Sequence, residues 1–186
     1  VWIDVLLLAS LADGPSHGYE LRKRVEESTG YALSNNSLYP TLRRFSEAGA
    51  VTKTAEPQEG KPPRHVYAIT DIGRELLHDM LADLPQDLAR DEPEFLARLG
   101  HFEWLTVEER LRVLDARYRA LKQRRDQLSA LGSRAGAAGW NRLVLDEVDR
   151  RIQSEQDWLD VIRVRAAQSS ATQSSATQSS AEEEVR

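Results

Sequence analysis

Cysteine is absent from the 186 residues, which excludes disulfides, thiolate metal sites and cysteine nucleophiles. No apolar run reaches the roughly 18 residues that a membrane-spanning helix needs. The short apolar run at residues 2–11 carries Asp4 and no basic flank precedes it, so it reads as a core helix rather than a signal peptide. The chain opens on Val1, so its start reads as processed or truncated. Histidine is scarce: His17, His65, His78 and His101 never stand three or four residues apart, so no helix-borne pair for zinc is expected. A G-x-x-x-x-G-K phosphate loop is also missing. Carboxylates are many but fall on solvated faces of charge-rich helices. Neither an enzyme nor a cofactor or metal is expected, and the cytoplasm is the expected location. An excess of positive charge is lacking too. Net charge is −5; residues 1–82 hold 9 Lys+Arg against 11 Asp+Glu, and residues 83–186 hold 16 against 19. Any nucleic-acid site must then be a local patch, since affinity follows the charges placed at the phosphates.

Hydrophobic residues make up 40 % and charged residues 30 %, enough for one domain or two small ones with a real core. In chain order, residues 2–11 are apolar nearly all round, as a buried central helix would be. Asp13-Gly14-Pro15 is a turn. Ser16 is the expected cap of a second helix over residues 17–28, with Tyr19, Leu21 and Val25 inward, and Gly30 closes it. Residues 51–55 and 65–69 read as two short strands around a turn-rich loop at 56–64, a two-stranded hairpin. Thr70 caps a further helix at 71–81 whose apolar face is Ile72, Leu76, Leu77 and Met80.

Between the second helix and the hairpin lies the stretch Asn35-Asn36-Ser37-Leu38-Tyr39-Pro40-Thr41-Leu42-Arg43-Arg44-Phe45. It reads as a short helix with Asn35 or Asn36 as N-cap and Pro40 early enough to need no N–H. Leu38, Leu42 and Phe45 share one face. Asn36, Pro40 and Arg43 lie opposite, flanked by Ser37 and Arg44. One side is apolar and the other small, polar and cationic.

Helix, helix, helix, hairpin, helix is the order of a winged helix-turn-helix, whose third helix enters the major groove while the wing reaches the backbone or minor groove. Three blocks carry a family resemblance: residues 11–21 (LADGPSHGYEL), residues 37–44 (SLYPTLRR), and residues 63–70 (PRHVYAIT) with Gly73. Together, in this order and spacing, they resemble the PadR family of transcriptional regulators over residues 1–82. Many members carry a Pro-Gly pair where this chain has Asn35-Asn36, so the family's base preference does not carry over with the fold.

The remainder differs in kind. Residues 91–104 read as a connecting helix. Thr106 with Glu109 forms a capping box. Val107, Leu111, Leu114, Tyr118, Leu121, Arg125 and Leu128 recur at alternating spacings of four and three, a heptad seam. After a turn at 132–139, a helix over 140–165 carries Leu145, Val148, Ile152, Glu155, Leu159 and Ile162 on a similar seam. The result is an antiparallel helical hairpin with apolar surface left over at Trp158 and Val161, which a second copy would cover. This agrees with the helical dimerisation part that the resemblance implies. From Gln168 the repeated Gln-Ser-Ser-Ala-Thr offers no apolar content and is expected to be disordered.

The expected fold is mainly α with a small β-hairpin wing. It comprises a winged helix-turn-helix over residues 1–82, a connecting helix over 83–105, a coiled-coil-like dimerisation domain over 106–166 and a disordered tail over 167–186. Asn36, Ser37, Arg43 and Arg44 face outward for DNA: Asn pairs with adenine and Arg with guanine, or the arginines bind phosphate. The family reading puts the Tyr39 hydroxyl on a phosphate, against a packed tyrosine; Thr41 is either a contact or a plain helix residue. Lys61, Arg64 and His65 cluster around Pro62-Pro63 in the wing. His17 and Gly18 leave amides free for a phosphate, or His17 packs on Tyr67 or caps locally. Trp2, Trp104, Trp140 and Trp158 are candidate walls for a flat aromatic effector; the resemblance implies phenolic acids or hydrophobic drugs. The function expected is an effector-responsive repressor, a homodimer on a palindromic DNA operator. Two alternatives stay open: a winged helix that docks proteins, and a helical protein that sequesters small molecules.

Overall fold

The computed structural model describes residues 2–58, 61–134 and 139–168. They fall into two compact units, one of the residues up to Leu81 with Leu96–His101, the other of Ala82–Phe95 with the residues from Phe102 onward. Among the described residues no helix is long and apolar enough to cross a membrane.

The first unit is built on α1 (Trp2–Ala12), whose Val5, Leu6, Leu7, Leu8 and Leu11 are all buried. There follow β1 (Ser16–His17), α2 (Gly18–Thr29), α3 (Asn35–Glu47), β2 (Val51–Gln58), β3 (Lys61–Ile69) and α4 (Asp71–Ala82). The sheet is antiparallel and three-stranded, in the order β1-β3-β2. Ser16 stands opposite Tyr67 and His17 opposite Val66, while Val51 stands opposite Ile69.

Several expectations need correction here. The hairpin has a third strand, because Ser16 and His17 pair along β3; two residues carry no period by which a strand could be read. Ser16 therefore does not cap α2. His17 is its N-cap residue, and its backbone N–H donates to Glu20 Oε2 at 3.3 Å. Residues 56–64 are not mainly loop: both strands run into them, with a register shift between Glu56 and Gln58. Pro57 sits in that irregularity, where a residue without an N–H costs the ladder least. Tyr19 is 65 % exposed rather than inward, since Leu21 and Val25 already define the buried face of α2 and Tyr19 lies about 200° around the helix from Leu21.

The inward face of α4 is Gly73, Leu77 and Leu81; Ile72 is exposed. The reason is a close approach. A Cβ on Gly73 would stand 2.1 Å from the Ala50 carbonyl oxygen and 2.7 Å from Ile69 Cγ1. Thr70 caps α4, accepting from Gly73 N at 3.1 Å. The same hydroxyl donates to the Gly49 carbonyl at 2.7 Å, and Thr70 N donates to the Ala50 carbonyl at 3.0 Å.

A 3-10 turn at Leu88–Arg90 precedes α5 (Glu92–Leu99), whose residues from Leu96 on belong to the first unit. The continuous connecting helix expected over 91–104 is interrupted: α5 stops before Gly100, and a 3-10 turn, Phe102–Trp104, follows. Glycine is a poor helix former, and the break falls beside it. Two long helices, α6 (Val107–Arg134) and α7 (Trp140–Gln168), then pack against one another. The Thr106–Glu109 box is present: Thr106 N donates to Glu109 Oε2 at 2.9 Å, and Glu109 N to Thr106 Oγ1 at 3.3 Å. The turn expected at 132–139 begins later, since α6 runs to Arg134; residues 135–138 lie outside the described part. α7 runs through Ala167 and Gln168, where the tail was expected to begin. The rest of that tail lies outside the described residues.

The seam of α7 also differs from the expected one. Its buried residues are Ile152, Gln156, Leu159 and Ala166. Extended by the same spacing, the row is Leu145, Asp149, Ile152, Gln156, Leu159, Arg163, Ala166, with a polar residue at every second place. The expected seam passes through Val148, Glu155 and Ile162 instead. Charge across the gap explains the rotation. Arg125 donates from Nε to Asp149 at 2.7 Å, Arg163 pairs with Asp115, and the buried Arg117 grips Glu155 with Nε and Nη2 at 2.7 and 3.0 Å. Arg117 also donates to the Ala89 carbonyl at 2.9 Å, which ties the 3-10 turn to α6.

Two changes test these anchors. Gly73→Ala forces a backbone shift and is expected to lower stability by about 1–3 kcal/mol in chemical denaturation. Arg117→Ala leaves a partly buried Glu155 and a buried carbonyl unpaired and is expected to cost about 3–5 kcal/mol in the same assay.

Candidate nucleic-acid interface

Helix α3 begins one residue earlier than expected. Ser34 is the N-cap, its hydroxyl accepting from Ser37 N at 3.2 Å, and Asn35 and Asn36 form the first turn. Pro40 is therefore inside the helix, and the Asn36 carbonyl, four residues back, loses its ladder donor. Leu38, Leu42 and Phe45 are buried as the spacing predicts. Asn35, Asn36, Pro40, Arg43 and Arg44 are exposed, and Ser37 and Thr41 are half-buried.

The two arginines, adjacent in sequence, are held differently. Arg43 points to solvent and pairs along the helix with Glu47, Nε to Oε1 at 2.9 Å. That hydrogen bond and the negative charge of Glu47 raise the Arg43 pKa further. Arg44 reaches back across forty residues to Asp4 on α1, whose side chain is 15 % exposed, and its guanidinium lies over the Phe45 ring at 5.4 Å. Sequence reading missed the Asp4 partner. An acid in an apolar helix gives no sign of which distant cation it will meet.

Beside α3, the start of α2 and strand β3 enclose a cleft of about 360 Å³, lined by Gly18, Glu20, Tyr39, Arg64, His65 and Tyr67 among others. Gly18 makes the cleft possible. A Cβ there would lie 3.0 Å from Tyr39 Cε1 and 3.2 Å from its hydroxyl, so a bare α-carbon lets the Tyr39 ring lie against the first turn of α2. Tyr39 is 47 % exposed, so it is neither fully packed nor free. Tyr67 is buried; burial first, and the neighbouring Tyr39 second, raise the pKa of its phenol. Its hydroxyl has no hydrogen-bond partner among the described residues.

His17 ties this end of α2 to the sheet. Its Nδ1 donates to the His65 carbonyl at 3.2 Å, and Nε2 stands 3.6 Å from Glu56 Oε2. The local structural role is thus filled. Arg64 and His65 are exposed on β3 beside the cleft. The side chain of Lys61 lies outside the described residues. The structure brings Tyr39, Arg64 and His65 around one cleft, with Asn36 and Arg43 on the exposed side of α3. Gly18 and Tyr67 join that group; the block spacing at 11–21 and 63–70 held the signal for both.

Trp2 belongs to the first unit, and Trp104, Trp140 and Trp158 to the second. Trp2 stacks in tilted fashion on Tyr31, with centroids 5.1 Å apart. Trp158 meets the edge of Phe95 at 6.3 Å, and Trp140 is 84 % exposed. Trp140 and Trp158 are separated by about 27 Å along α7, too far to wall one pocket within a chain. Among the described residues, no group of three or more His, Asp or Glu could hold a metal ion.

A three-helix head with a paired wing, an N-capped third helix and a cationic outer face defines a winged helix-turn-helix protein. The model of the transcriptional regulator PadR-like family matches residues 7–79. "Probable transcriptional regulator Rv1176c" of Mycobacterium tuberculosis is 32 % identical over 179 residues, spanning 84 % of this chain and 93 % of that protein. "Negative transcriptional regulator PadR" of Bacillus subtilis is 29 % identical over 77 residues, 40 % of this chain and 42 % of that one. The crystal structure of Bacillus subtilis PadR in complex with operator DNA superposes with a TM-score of 0.41 and 21 % identity, covering 88 % of this chain and 98 % of that one. The chain belongs to the PadR-like family of transcriptional regulators, and is not an enzyme.

The contrast between the two arginines is testable. Arg44→Ala leaves the Asp4 carboxylate without its partner and is expected to cost about 1–3 kcal/mol of stability. Arg43→Ala breaks a solvent-exposed pair and is expected to leave the melting temperature unchanged. Thermal denaturation of both variants beside the parent protein checks the order.

Proposed function

We propose that the protein is a sequence-specific DNA-binding repressor that acts as a homodimer on a palindromic operator. The observation that carries this reading is the outer face of α3, where Asn36 and Arg43 are exposed and the apolar face is fully docked. Asn36 and Arg43 read base edges, with Ser37 and Thr41 beside them; each good bidentate pair contributes about 1–3 kcal/mol of discrimination. Tyr39, Arg64 and His65, with Lys61 of the wing, grip phosphates. Arg44 is the weakest member of this set, because DNA must compete with Asp4 for it.

A relative by sequence over 77 residues, PadR of Bacillus subtilis, is named a negative regulator and has been crystallised with operator DNA. That supports repression here. Dimerisation is supported by α7, where Trp158, Val161 and Val164 form an apolar stripe 40 %, 67 % and 58 % exposed. A two-fold dimer implies half-sites about 34 Å apart, one helical turn of DNA. A small hydrophobic or aromatic effector biases the dimer between two operator affinities. The cytoplasm, where DNA is reached, is the proposed location.

Binding of the protein to its own upstream DNA and to a scrambled duplex, by fluorescence anisotropy across a salt series, tests this. The upstream duplex is expected to bind more tightly, with Arg43→Ala reducing the preference by about tenfold or more. Equal binding to both duplexes, or a monomer in light scattering, would overturn the reading.

A further inference from the structure

The polar seam of the helical unit contains one residue that its neighbours do not satisfy. In an antiparallel pair, a step forward on α6 is a step back on α7. Arg125 meets Asp149; Tyr118, seven residues before Arg125, therefore stands opposite Gln156, seven after Asp149. Asp149 and Arg163 have their charges answered across the gap. Gln156 does not: its side chain is buried, the residue being 5 % exposed, and among the described residues nothing hydrogen-bonds to its amide. The Tyr118 phenol likewise has no hydrogen-bond partner there.

Both side chains line a cleft of about 790 Å³ between α6 and α7, within the range of small-molecule sites. Leu128 and Leu145 supply apolar wall. The charges around it already cancel. Arg125 is held by Asp149 and Gln153, Arg142 by Asp146, and Lys122 and Asp126 on α6 carry opposite signs. A charged ligand thus gains no net attraction.

We propose that this cleft binds a neutral planar heterocycle that presents a cyclic amide edge, a ring N–H beside a ring carbonyl. A glutamine amide has an acceptor oxygen next to a donor NH2, and the Gln156 amide, without a partner among the described residues, is open to the cleft on both counts. A lactam edge answers both groups at once, its N–H donating to the Gln156 oxygen and its carbonyl accepting from the Gln156 nitrogen. The ring lies against Tyr118, which stands opposite Gln156. This deepens the effector part of the function proposed above and depends on no property of the DNA-binding head.

Quinazolin-4(3H)-one and its N3-methyl derivative are a matched pair of probes, equal in ring and shape but differing in the donor. Calorimetric titration of the full chain is expected to show binding of the parent compound, with the methylated one weaker by at least about tenfold. Gln156→Leu should weaken the parent compound by a similar factor and leave the methylated one unchanged, because both changes remove the same pair of bonds. Gln156→Glu keeps the shape and loses the donor, and should weaken the parent compound even if the leucine variant folds poorly. Equal affinity for the two probes, no binding of either at millimolar concentration, or an unchanged affinity in both variants would overturn the proposal. Operator binding measured on the unliganded protein stays unaffected by any of these results, so failure here is separable from failure of the DNA reading.

Discussion

The geometry of the head depends on a small node of hydrogen bonds around Thr70. Ala50 N donates to the Phe45 carbonyl at 2.9 Å, and the Ala50 carbonyl accepts from Thr70 N. The Thr70 hydroxyl donates to Gly49 and caps α4. Four elements meet there: the end of α3, the start of β2, the end of β3 and the start of α4. The node leaves little freedom in the angle between α3 and the wing. Gly73 is the steric condition for it, since any side chain would displace the Ala50 carbonyl.

The helical unit solves a different problem by different means. Its two long helices are rich in charge, and an apolar seam alone would leave their register loosely set. Arg117–Glu155, Arg125–Asp149 and Asp115–Arg163 cross between α6 and α7 and make a slipped register costly, since each slip would strand charges beside apolar neighbours. The arrangement trades some stability for a defined pairing. Gln156 sits in the same row without an opposite charge, and it lines the cleft together with the Arg125–Asp149 and Arg142–Asp146 pairs.

On the outer surface of the head, what matters is which cations remain available. Glu47 holds Arg43 by an exposed, easily exchanged pair, whereas Asp4 draws Arg44 toward α1. Adjacent arginines therefore contribute unequally to any surface that meets DNA. Tyr39 is placed by an absence, the missing side chain of Gly18, and its ring then forms one wall of the cleft that the wing completes.

Much of this was legible in the chain itself. The apolar run of α1, the buried face of α3, the caps at Thr70 and at Thr106 with Glu109, and the three blocks that place the protein in its family all depend on residues near one another in sequence. Local propensity and side-chain capping act over a few residues, so a linear reading captures them. Other features arise from groups brought together over long distances. The pairing of β1 along β3, the rotation of α4 that buries Gly73 and exposes Ile72, and the hold of Asp4 on Arg44 all need the folded chain. So does the choice of Gln156 over Glu155 for the seam, because Arg117 draws Glu155 to one side. Sequence by itself determined which elements form and which family they build; tertiary structure decided which faces turn inward and which charges stay free, because burial and ion pairing are properties of the partner as much as of the residue.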